Sequence, residues 1–319
     1  MRYVVYGAGA VGGVIGARLH LAGSQVQVVA RGPHLDAIRA RGLRLDSPDG
    51  STTVRVPAAT SVADLSVDVD TCVLVCVKSQ QTAAVIADLT SSMPPEIVVV
   101  SVQNGVANER SLLRHFEHVL GVCVMLPTSH LEPGVVVANS APVPGMLDIG
   151  CFPSGVDDRC EVVASALRDA GFECVVRPDV MAWKYRKLVT NLGNAVQACC
   201  RPGPASERLE KLAREEGERV LVAAGIDVVS VAQDRERRGD ILRPGAIGGR
   251  GGGSTWQSLR RGTGSVESDY LNGEICLLGR LLQIRTPTND LVRRTAIAQA
   301  RAGAEPGTLD ANDLLAALT

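Results

Sequence analysis

The first half of the chain alternates short apolar runs with stretches of helical periodicity. The apolar runs cover residues 3–6, 25–30, 72–77, 97–102 and 119–125. Shorter β-like segments follow at 135–138, 145–149 and 174–176, and the last of them would complete a first domain near residue 178. This alternation predicts an α/β fold with a doubly wound parallel sheet.

From Val180 onward the pattern of apolar positions becomes helical. It predicts helices at 181–199, 206–224 and 264–283, a fourth that Thr288 or Asn289 caps, and a short last one at 309–318. Residues 245–254 interrupt this region with six glycines in ten positions, which predicts a loop. The chain therefore divides into an N-terminal domain at 1–178 and an all-helical C-terminal domain at 179–319.

A glycine pattern stands directly after the first apolar run. Gly7 permits a tight turn, Gly9 leaves room for a pyrophosphate against bare backbone, and Gly12 lets the next helix pack close to the strand. The helix would begin near Ala10 and present its free amides to the phosphate. A glycine turn in another βα unit is the alternative. The pattern predicts a dinucleotide site formed by Gly7, Ala8, Gly9, Ala10, Val11 and Gly12.

Arg31 follows the second apolar run, at the position that distinguishes the two nicotinamide cofactors. An acidic residue there would bind the ribose 2′-hydroxyl of NAD, whereas a guanidinium suits the 2′-phosphate of NADP. Arginine also ends many strands as a solvated surface residue, which is the alternative. We predict NADP as the cofactor.

Composition narrows the function classes. The chain has 319 residues, 33 basic and 34 acidic, so its net charge of −1 argues against a nucleic-acid or anionic-membrane surface. No apolar stretch approaches the ~18 residues of a membrane span. The first strand starts almost at Met1, leaving no room for a signal peptide, so we expect a cytoplasmic protein. The nine cysteines form no CxxC pair, which favours buried thiols over a metal site.

A lysine and two amides share one face of the predicted helix at 181–199. At ~100° per residue, Asn191 and Asn194 fall on either side of Lys187 within one narrow stripe. Hydride reduction of a ketone needs a proton donor near the carbonyl oxygen, and a partly buried lysine can serve. An ordinary solvated face is the alternative.

Two further residues could complete such a site. Glu267 could hold the lysine or a substrate hydroxyl, or it could be an acid favoured at a helix N-terminus. Ser254 could reach a substrate carboxylate, or it could cap a helix.

These motifs together resemble the ketopantoate reductase (2-dehydropantoate 2-reductase) family from end to end. The matching pieces are Gly7–Gly12, Arg31, Val77-Lys78, Gln103-Asn104-Gly105, Trp183…Lys187…Asn191, Ser254 and Glu267…Asn272-Gly273. The resemblance implies an N-terminal Rossmann domain that binds NADP and a helical catalytic domain, with the active site in the cleft between them. It also implies reduction of a 2-oxo acid by NADPH, most directly 2-dehydropantoate to pantoate.

The resemblance also assigns roles to single residues. Lys187 matches the proton donor, and Asn191 and Ser254 match substrate-binding positions. Asn104 matches a residue near the nicotinamide and the substrate, and Lys78 matches a basic residue beside the cofactor. Glu267 matches a glutamate that contacts the cofactor and organises the site.

The chain departs from the family pattern on the substrate side. The family spaces its two helix asparagines four residues apart, whereas Asn191 and Asn194 are three apart, and the segment from Ser254 to Glu267 is about one residue longer. We expect Asn194 to bind substrate from a position displaced by ~1.5 Å along the helix. Two alternative functions stay open: a related reductase for another 2-oxo acid or imine, and a non-catalytic NADP-binding sensor. A homodimer also stays open as the assembly of the chain.

Overall fold

The structure is a computed structural model that describes residues 1–243, 252–262 and 264–318. It divides into two compact units. The first contains Met1–Lys184 and a later stretch that starts at Ala232. The second contains Tyr185–Val231 and the described residues from Gly252 onward.

The described residues of the first unit form eleven strands. They are β1 (Arg2–Tyr6), β2 (Val26–Val29), β3 (Leu43–Ser47), β4 (Gly50–Val54), β5 (Ala58–Ala59), β6 (Thr71–Val75), β7 (Val98–Ser101), β8 (His118–Met125), β9 (Thr128–Ser129), β10 (Val135–Ala138) and β11 (Met146–Cys151). Seven form one sheet in the order β11-β8-β7-β6-β1-β2-β5. All neighbours in it are parallel except β11, which runs antiparallel to β8. The order reverses at β1 and β6, as in dinucleotide-binding sheets, and the predicted α/β class is confirmed.

Helices cover both faces of this sheet. They are α1 (Ala10–Leu21), α2 (Gly32–Arg41), α3 (Thr82–Ser92), α4 (Asn108–Leu113) and α5 (Asp158–Asp169). Because side chains alternate along a strand, Val5 of β1 packs in the core on one face and Val4 packs in the core on the other. Both valines are fully buried, which explains the continuous apolar runs in the sequence.

A second sheet, which the sequence pattern did not predict, has the order β4-β3-β10-β9. Strands β3 and β4 form a hairpin in which Arg44 pairs with Thr53 and Asp46 with Ser51. In β3 the polar Arg44 and Asp46 alternate with the buried Leu43 and Leu45. This segment therefore contains no continuous apolar run of the kind that predicted the other strands. The strand expected at 174–176 is also corrected, because only isolated bridges join Glu173 and Val176 to β11.

The remaining helices follow in the second half of the chain. They are α6 (Val180–Asn191), α7 (Asn194–Cys199), α8 (Pro204–Ala223), α9 (Val231–Arg238), α10 (Ser254–Arg260), α11 (Asn272–Leu281), α12 (Pro287–Arg301) and α13 (Ala311–Ala316). The second unit has a small aliphatic core that includes Val196, Leu209, Leu259 and Val292. No strand of the described residues is assigned to this unit, as expected for an all-helical domain.

Two predicted helices are interrupted. The helix expected at 181–199 breaks at Leu192 and Gly193, so that α7 begins anew at Asn194. A Cβ on Gly193 would lie 2.7 Å from side-chain atoms of Glu210 and Arg214 of α8. The helix therefore breaks where it packs closely against α8. The helix expected at 264–283 begins instead as a 3₁₀ turn at Glu267–Asp269, followed by α11.

The predicted cap of the fourth helix is also corrected. Thr286 occupies the N-cap position of α12, ahead of Thr288 and Asn289. The buried carboxylate of Glu216 accepts hydrogen bonds from the backbone amides of both residues, at 3.1 and 2.9 Å. An acid from α8 therefore satisfies amides that a local side chain was expected to cap.

The boundaries of the two units differ from the predicted division of the chain at residue 178. The first unit extends to Lys184 and takes in most of α9. Arg237 of α9 donates two hydrogen bonds to the buried carboxylate of Asp148 in β11, at 2.9 and 2.6 Å, and Arg177 donates a third at 3.1 Å. This buried ion pair fastens α9 to the first unit. The helices of the described residues include none that is long and apolar enough to cross a membrane, and the cytoplasmic location stays a prediction.

Candidate active site

The glycine turn between β1 and α1 has the geometry that a bound pyrophosphate requires. Gly7 has a φ of +101°, which favours glycine. A Cβ on Gly12 would lie 2.2 Å from the carbonyl oxygen of Gly7, so only glycine allows this close approach of helix and strand. A Cβ on Gly9 would meet nothing within 4 Å. The open side of Gly9 and the N-terminus of α1, which starts at Ala10, thus leave room for an anion.

A pocket lies beside this turn in the first unit. Its lining includes Gly7, Ala8 and Gly9, together with residues from the ends of β1 and β2 and from α3. Arg31 lines it from the N-cap position of α2, with its side chain exposed and its guanidinium 3.5 Å from the hydroxyl of Tyr6. The structure therefore brings the glycine turn and Arg31 to one pocket. Ala10, Val11 and Gly12 follow in the first turn of α1.

Tyr6 forms part of the pocket wall and is held from behind. Its hydroxyl donates to Asp88 at 2.7 Å, and Ser61 donates to the other carboxylate oxygen at 2.5 Å. Burial, and then the hydrogen bond to Asp88, raise the pKa of Tyr6 to about 12. The tyrosine therefore stays neutral, and Arg31 is the cation that the pocket offers to a ligand.

Two histidines complete the pocket. His34 Nε2 lies 2.7 Å from the carbonyl oxygen of Ala8, and its Nδ1 accepts a hydrogen bond from the Gly134 amide at 2.9 Å. These partners require the neutral form with the proton on Nε2. Burial lowers the pKa of His34, in keeping with that form. The ring of His130 packs 4.2 Å from that of His34, and its Nδ1 lies 2.9 Å from the carbonyl oxygen of Val135. His130 thus structures its loop.

The next two turns along the sheet carry Lys78 and Asn104. Lys78 follows β6, and its amide donates to the side chain of Gln81 at 3.3 Å. Asn104 follows β7, and its carbonyl oxygen accepts from Asn108 at 3.3 Å. The side chain of Gln103 joins the two turns, because its amide nitrogen donates to the carbonyl oxygen of Val77 at 2.9 Å. The structure therefore brings Lys78 and Asn104 to the same edge of the sheet.

The other predicted residues belong to the second unit. Lys187 is half-buried in α6, and Asn191, the last residue of α6, is buried. Asn194 is the first residue of α7, and its amide oxygen lies 3.8 Å from where a Cβ on Gly253 would be. Asn194 thus lies near the start of α10, which is Ser254. Because the helix breaks before Asn194, the single continuous stripe expected for Lys187, Asn191 and Asn194 is wrong, and so is the simple ~1.5 Å displacement.

Glu267 is buried in the 3₁₀ turn before α11. It therefore does not lie in the first turn of a long helix, as one of the two interpretations of this residue assumed. Of the loop expected at 245–254, residues 245–251 lie outside the described residues, whereas Gly252 and Gly253 precede α10.

Comparison with known proteins decides the family. The family model described as ketopantoate reductase PanE/ApbA matches residues 3–154, and that of its C-terminal domain matches residues 179–299. A 2-dehydropantoate 2-reductase from Halobacterium salinarum is 33% identical over 257 residues, covering 75% of this chain and 80% of that protein. The chain belongs to the ketopantoate reductase family.

Solved structures agree with this assignment. The ketopantoate reductase of Ralstonia eutropha JMP134 is 28% identical, with a TM-score of 0.80, over 95% of this chain and 99% of its own. A D-mandelate dehydrogenase, solved with NADH and anilino(oxo)acetate, shares the fold with a TM-score of 0.81 at 19% identity. This ketopantoate reductase family member is an oxidoreductase that acts on CH–OH groups. Ketopantoate reductases use NADPH, and the predicted cofactor is confirmed on that basis.

The cysteines of this reductase give no support to a thiol mechanism. No disulfide joins any of the nine, all of which lie in the described residues. Burial raises the pKa of Cys72 to about 12, so this thiol stays protonated. Cys151 and Cys160 lie 3.5 Å apart with Asp157 nearby, but Asp157 already caps α5 and pairs with Arg159 at 3.3 Å. That no metal is needed stays a prediction.

Sequence reasoning missed several residues that shape the site. Tyr6 and His34 line the pocket, yet one is in a strand and the other in a helix that looked ordinary. Their contacts are with residues distant in sequence, such as Asp88 and Gly134. The position of His34, three residues after Arg31, was the available signal, since both lie in the first turn of the helix that follows β2.

Proposed function

We propose that this protein reduces 2-dehydropantoate to pantoate with NADPH, using Lys187 as the proton donor. The observation that carries the proposal is the glycine turn with Arg31 in one pocket, in a chain whose relatives of similar length are 2-dehydropantoate 2-reductases. The substrate would be a small 2-oxo acid. A homodimer, in which a second copy of the chain is the partner, stays open.

The first unit contains the residues suited to holding the cofactor. The amides of Ala8, Gly9 and Ala10 would bind the pyrophosphate, because the Gly9 side of the turn is open. Arg31 would bind the 2′-phosphate. Val11 and Gly12 would keep the helix close to the strand. Lys78, which follows β6 at the switch point of the sheet, and Asn104, which follows β7 one strand beyond it, would border the nicotinamide half.

The remaining residues would supply positioning and a proton. When bound, NADPH supplies the hydride that reduces the ketone carbon. Lys187 would donate a proton to the ketone oxygen, a role that partial burial of an ammonium favours. Glu267 would contact the cofactor and orient the lysine. Asn191, Asn194, Ser254 and Asn104 would hold the hydroxyl and carboxylate of the substrate.

The test of this proposal compares Lys187→Ala with wild type in steady-state oxidation of NADPH by 2-dehydropantoate. We expect kcat to fall by about 10²–10⁴-fold, the usual contribution of a general acid. Binding of NADP⁺, followed by calorimetry, should change little. Lys211→Ala is the matched control, because the side chain of Lys211 is 75% exposed and forms a surface ion pair with Glu215. Unchanged turnover in Lys187→Ala would refute the role of this lysine.

A second candidate function keeps the fold and cofactor but changes the oxo acid. It is favoured by the break before Asn194, which moves one amide away from its expected place. A site that hydrogen-bonds a substrate hydroxyl discriminates by about 10⁴-fold or more against an analogue without it. Turnover of 2-dehydropantoate should therefore far exceed that of the same 2-oxo acid lacking the hydroxyl. Equal rates would favour another substrate, and cofactor binding without turnover on any 2-oxo acid would favour a sensor.

A further inference from the structure

A buried ion pair lies behind the turn that carries Asn104. Lys184 Nζ is 2.7 Å from Glu109 Oε1, and the exposed fractions of the two side chains are 3% and 0%. Both residues belong to the first unit, Lys184 in α6 and Glu109 in α4. The proposed reaction assigns neither a role.

The ammonium group of Lys184 also binds two main-chain carbonyls. It donates to the carbonyl oxygen of Gln103 at 2.8 Å and to that of Val122 in β8 at 3.0 Å. Glu109 is its counter-ion at 2.7 Å, although neither oxygen of this carboxylate has a hydrogen-bond partner among the described residues. The two carbonyls are therefore the hydrogen-bond acceptors that hold the buried ammonium group in place.

Gln103 connects several groups at the carboxyl edge of the sheet, because both its backbone carbonyl and its side chain form hydrogen bonds there. The side chain of Gln103 reaches across to the carbonyl of Val77 at 2.9 Å and to the hydroxyl of Thr82 at 2.9 Å. The next residue is Asn104, and Gly105 turns the chain with a φ of +79°. Lys184 therefore holds one side of a network that places both the Val77-Lys78 turn and the Gln103-Asn104-Gly105 turn.

We propose that Lys184 is a positioning residue for the reduction. Its ammonium group fixes the Gln103 carbonyl, and through it the turn that carries Asn104, while Glu109 serves as its counter-ion. The inference rests on the proposed function, which places Asn104 and Lys78 at the reacting end of the cofactor. Lys184 also anchors the start of α6, the helix that carries Lys187 three residues further on.

The test separates the carbonyl contacts from the ion pair. Glu109→Gln removes the carboxylate charge but keeps a side-chain oxygen beside Lys184, so the buried ammonium group retains a polar neighbour in place of its counter-ion and both carbonyl contacts. Lys184→Met with Glu109→Gln removes both charges, so it avoids the unpaired buried carboxylate that would remain in Lys184→Met alone. Relative to its matched control Glu109→Gln, the double variant loses the ammonium group, and with it the hydrogen bonds to Gln103 and Val122 and the contact with residue 109.

We expect Glu109→Gln to retain kcat within about threefold of wild type, because the turn keeps its donor. The double variant should lose about 100-fold in kcat, the usual effect of a displacement of about 1 Å in a reacting geometry. Its affinity for NADP⁺ should fall by about tenfold at most, less than kcat, since the pyrophosphate turn and Arg31 lie outside this network and only Lys78 and Asn104 of the cofactor site belong to it. The pH profile of kcat should keep its shape, because Lys187 still supplies the proton.

Three results would overturn the proposal. Full kcat in a folded double variant would make the ion pair merely structural. A 100-fold loss already in Glu109→Gln would assign the positioning to the carboxylate, and this variant decides the matter if the double variant does not fold. A pH profile that loses its alkaline limb would make Lys184 the proton donor itself.

A readout without turnover keeps this inference distinct from the proposed function. Amide hydrogen exchange of residues 103–107 should be faster in the double variant than in Glu109→Gln, whatever the substrate is. Equal exchange in the two variants contradicts the positioning role. If wild type does not reduce 2-dehydropantoate but the exchange difference is present, then the proposed substrate fails while the role of Lys184 in holding the turn survives.

Discussion

Two turns at the carboxyl edge of the same sheet are held in place by different physics. The turn at Gly7–Gly12 relies on the lack of side chains, and its fit depends on backbone atoms as close as 2.2 Å to a missing Cβ. The turn at Gln103–Gly105 relies on a buried ammonium and a buried carboxylate. The first leaves an open side for an anion, and the second leaves almost no freedom. Cofactor affinity and reaction geometry should therefore respond to separate substitutions.

The largest expected effect comes from adding one methyl group to the phosphate turn. In Gly12→Ala the new Cβ would lie 2.2 Å from the carbonyl oxygen of Gly7 and 2.8 Å from Cys76 Cβ, so backbone must move. We expect affinity for NADP⁺ to fall by more than about 100-fold and the melting temperature to fall as well. Calorimetry and thermal unfolding measure the two effects.

Gly9→Ala is the control that sharpens this prediction. A Cβ there meets nothing within 4 Å, so the melting temperature without cofactor should match wild type. The methyl group would instead occupy the space left for the pyrophosphate, so affinity for NADP⁺ should still fall. If Gly9→Ala binds NADP⁺ normally, the pyrophosphate does not lie against this turn.

The second effect concerns the choice between cofactors. Arg31→Asp replaces the cation of the pocket with an anion, and a lost hydrogen bond to a charged group corresponds to about 10–100-fold in affinity. We expect the Kd of NADPH to rise by about 100-fold, while that of NADH changes by less than about threefold. Arg41→Asp, at the exposed far end of α2, makes the same change in net charge and should affect neither. Equal losses for NADPH and NADH would remove the 2′-phosphate argument.

The smallest effect is a pH dependence at His34, which lines the pocket. Burial lowers the pKa of His34 below its usual 6.5, so the unfolded chain takes up this proton first as the pH falls. The stability linked to His34 is fully present above about pH 6.5 and is lost as the pH falls from there toward the lowered pKa. The charged form would also oppose the Gly134 amide, whose N–H points at Nδ1.

Thermal unfolding of the cofactor-free protein between about pH 7 and pH 5 measures this linkage. His34→Gln keeps a donor for the Ala8 carbonyl but does not titrate, so its melting temperature should fall less steeply toward acid than that of wild type. His115→Gln, at an exposed position, should follow wild type. Identical acid slopes for wild type and His34→Gln would contradict the assigned tautomer.

The comparison of the two turns also explains what the sequence could predict. The phosphate turn depends on residues within six positions of one another, so its glycines and the following helix could be predicted from local spacing. Lys184, in contrast, contacts Gln103 and Val122, which lie 81 and 62 residues away. No local pattern marks such a lysine, although it lies in the same helix as Lys187 and Asn191.

The same reason accounts for the errors in the second unit. The wheel for Lys187, Asn191 and Asn194 assumed one continuous helix, whereas Gly193 ends it against Glu210 and Arg214 of a later helix. Thr288 or Asn289 was expected to cap α12, but Glu216, 72 residues before Thr288, accepts a hydrogen bond from the backbone amide of Thr288. The sequence pattern predicted most of the helical segments of this unit correctly, but tertiary contacts determine where its helices begin and end.

The most direct test follows both products of the proposed reaction in one experiment. Wild-type protein, NADPH and 2-dehydropantoate are mixed, NADPH loss is followed by absorbance, and pantoate is quantified by mass spectrometry. The account predicts equal amounts of NADPH oxidised and pantoate formed, with NADH a far poorer donor. Tight binding of NADPH without formation of pantoate would contradict it.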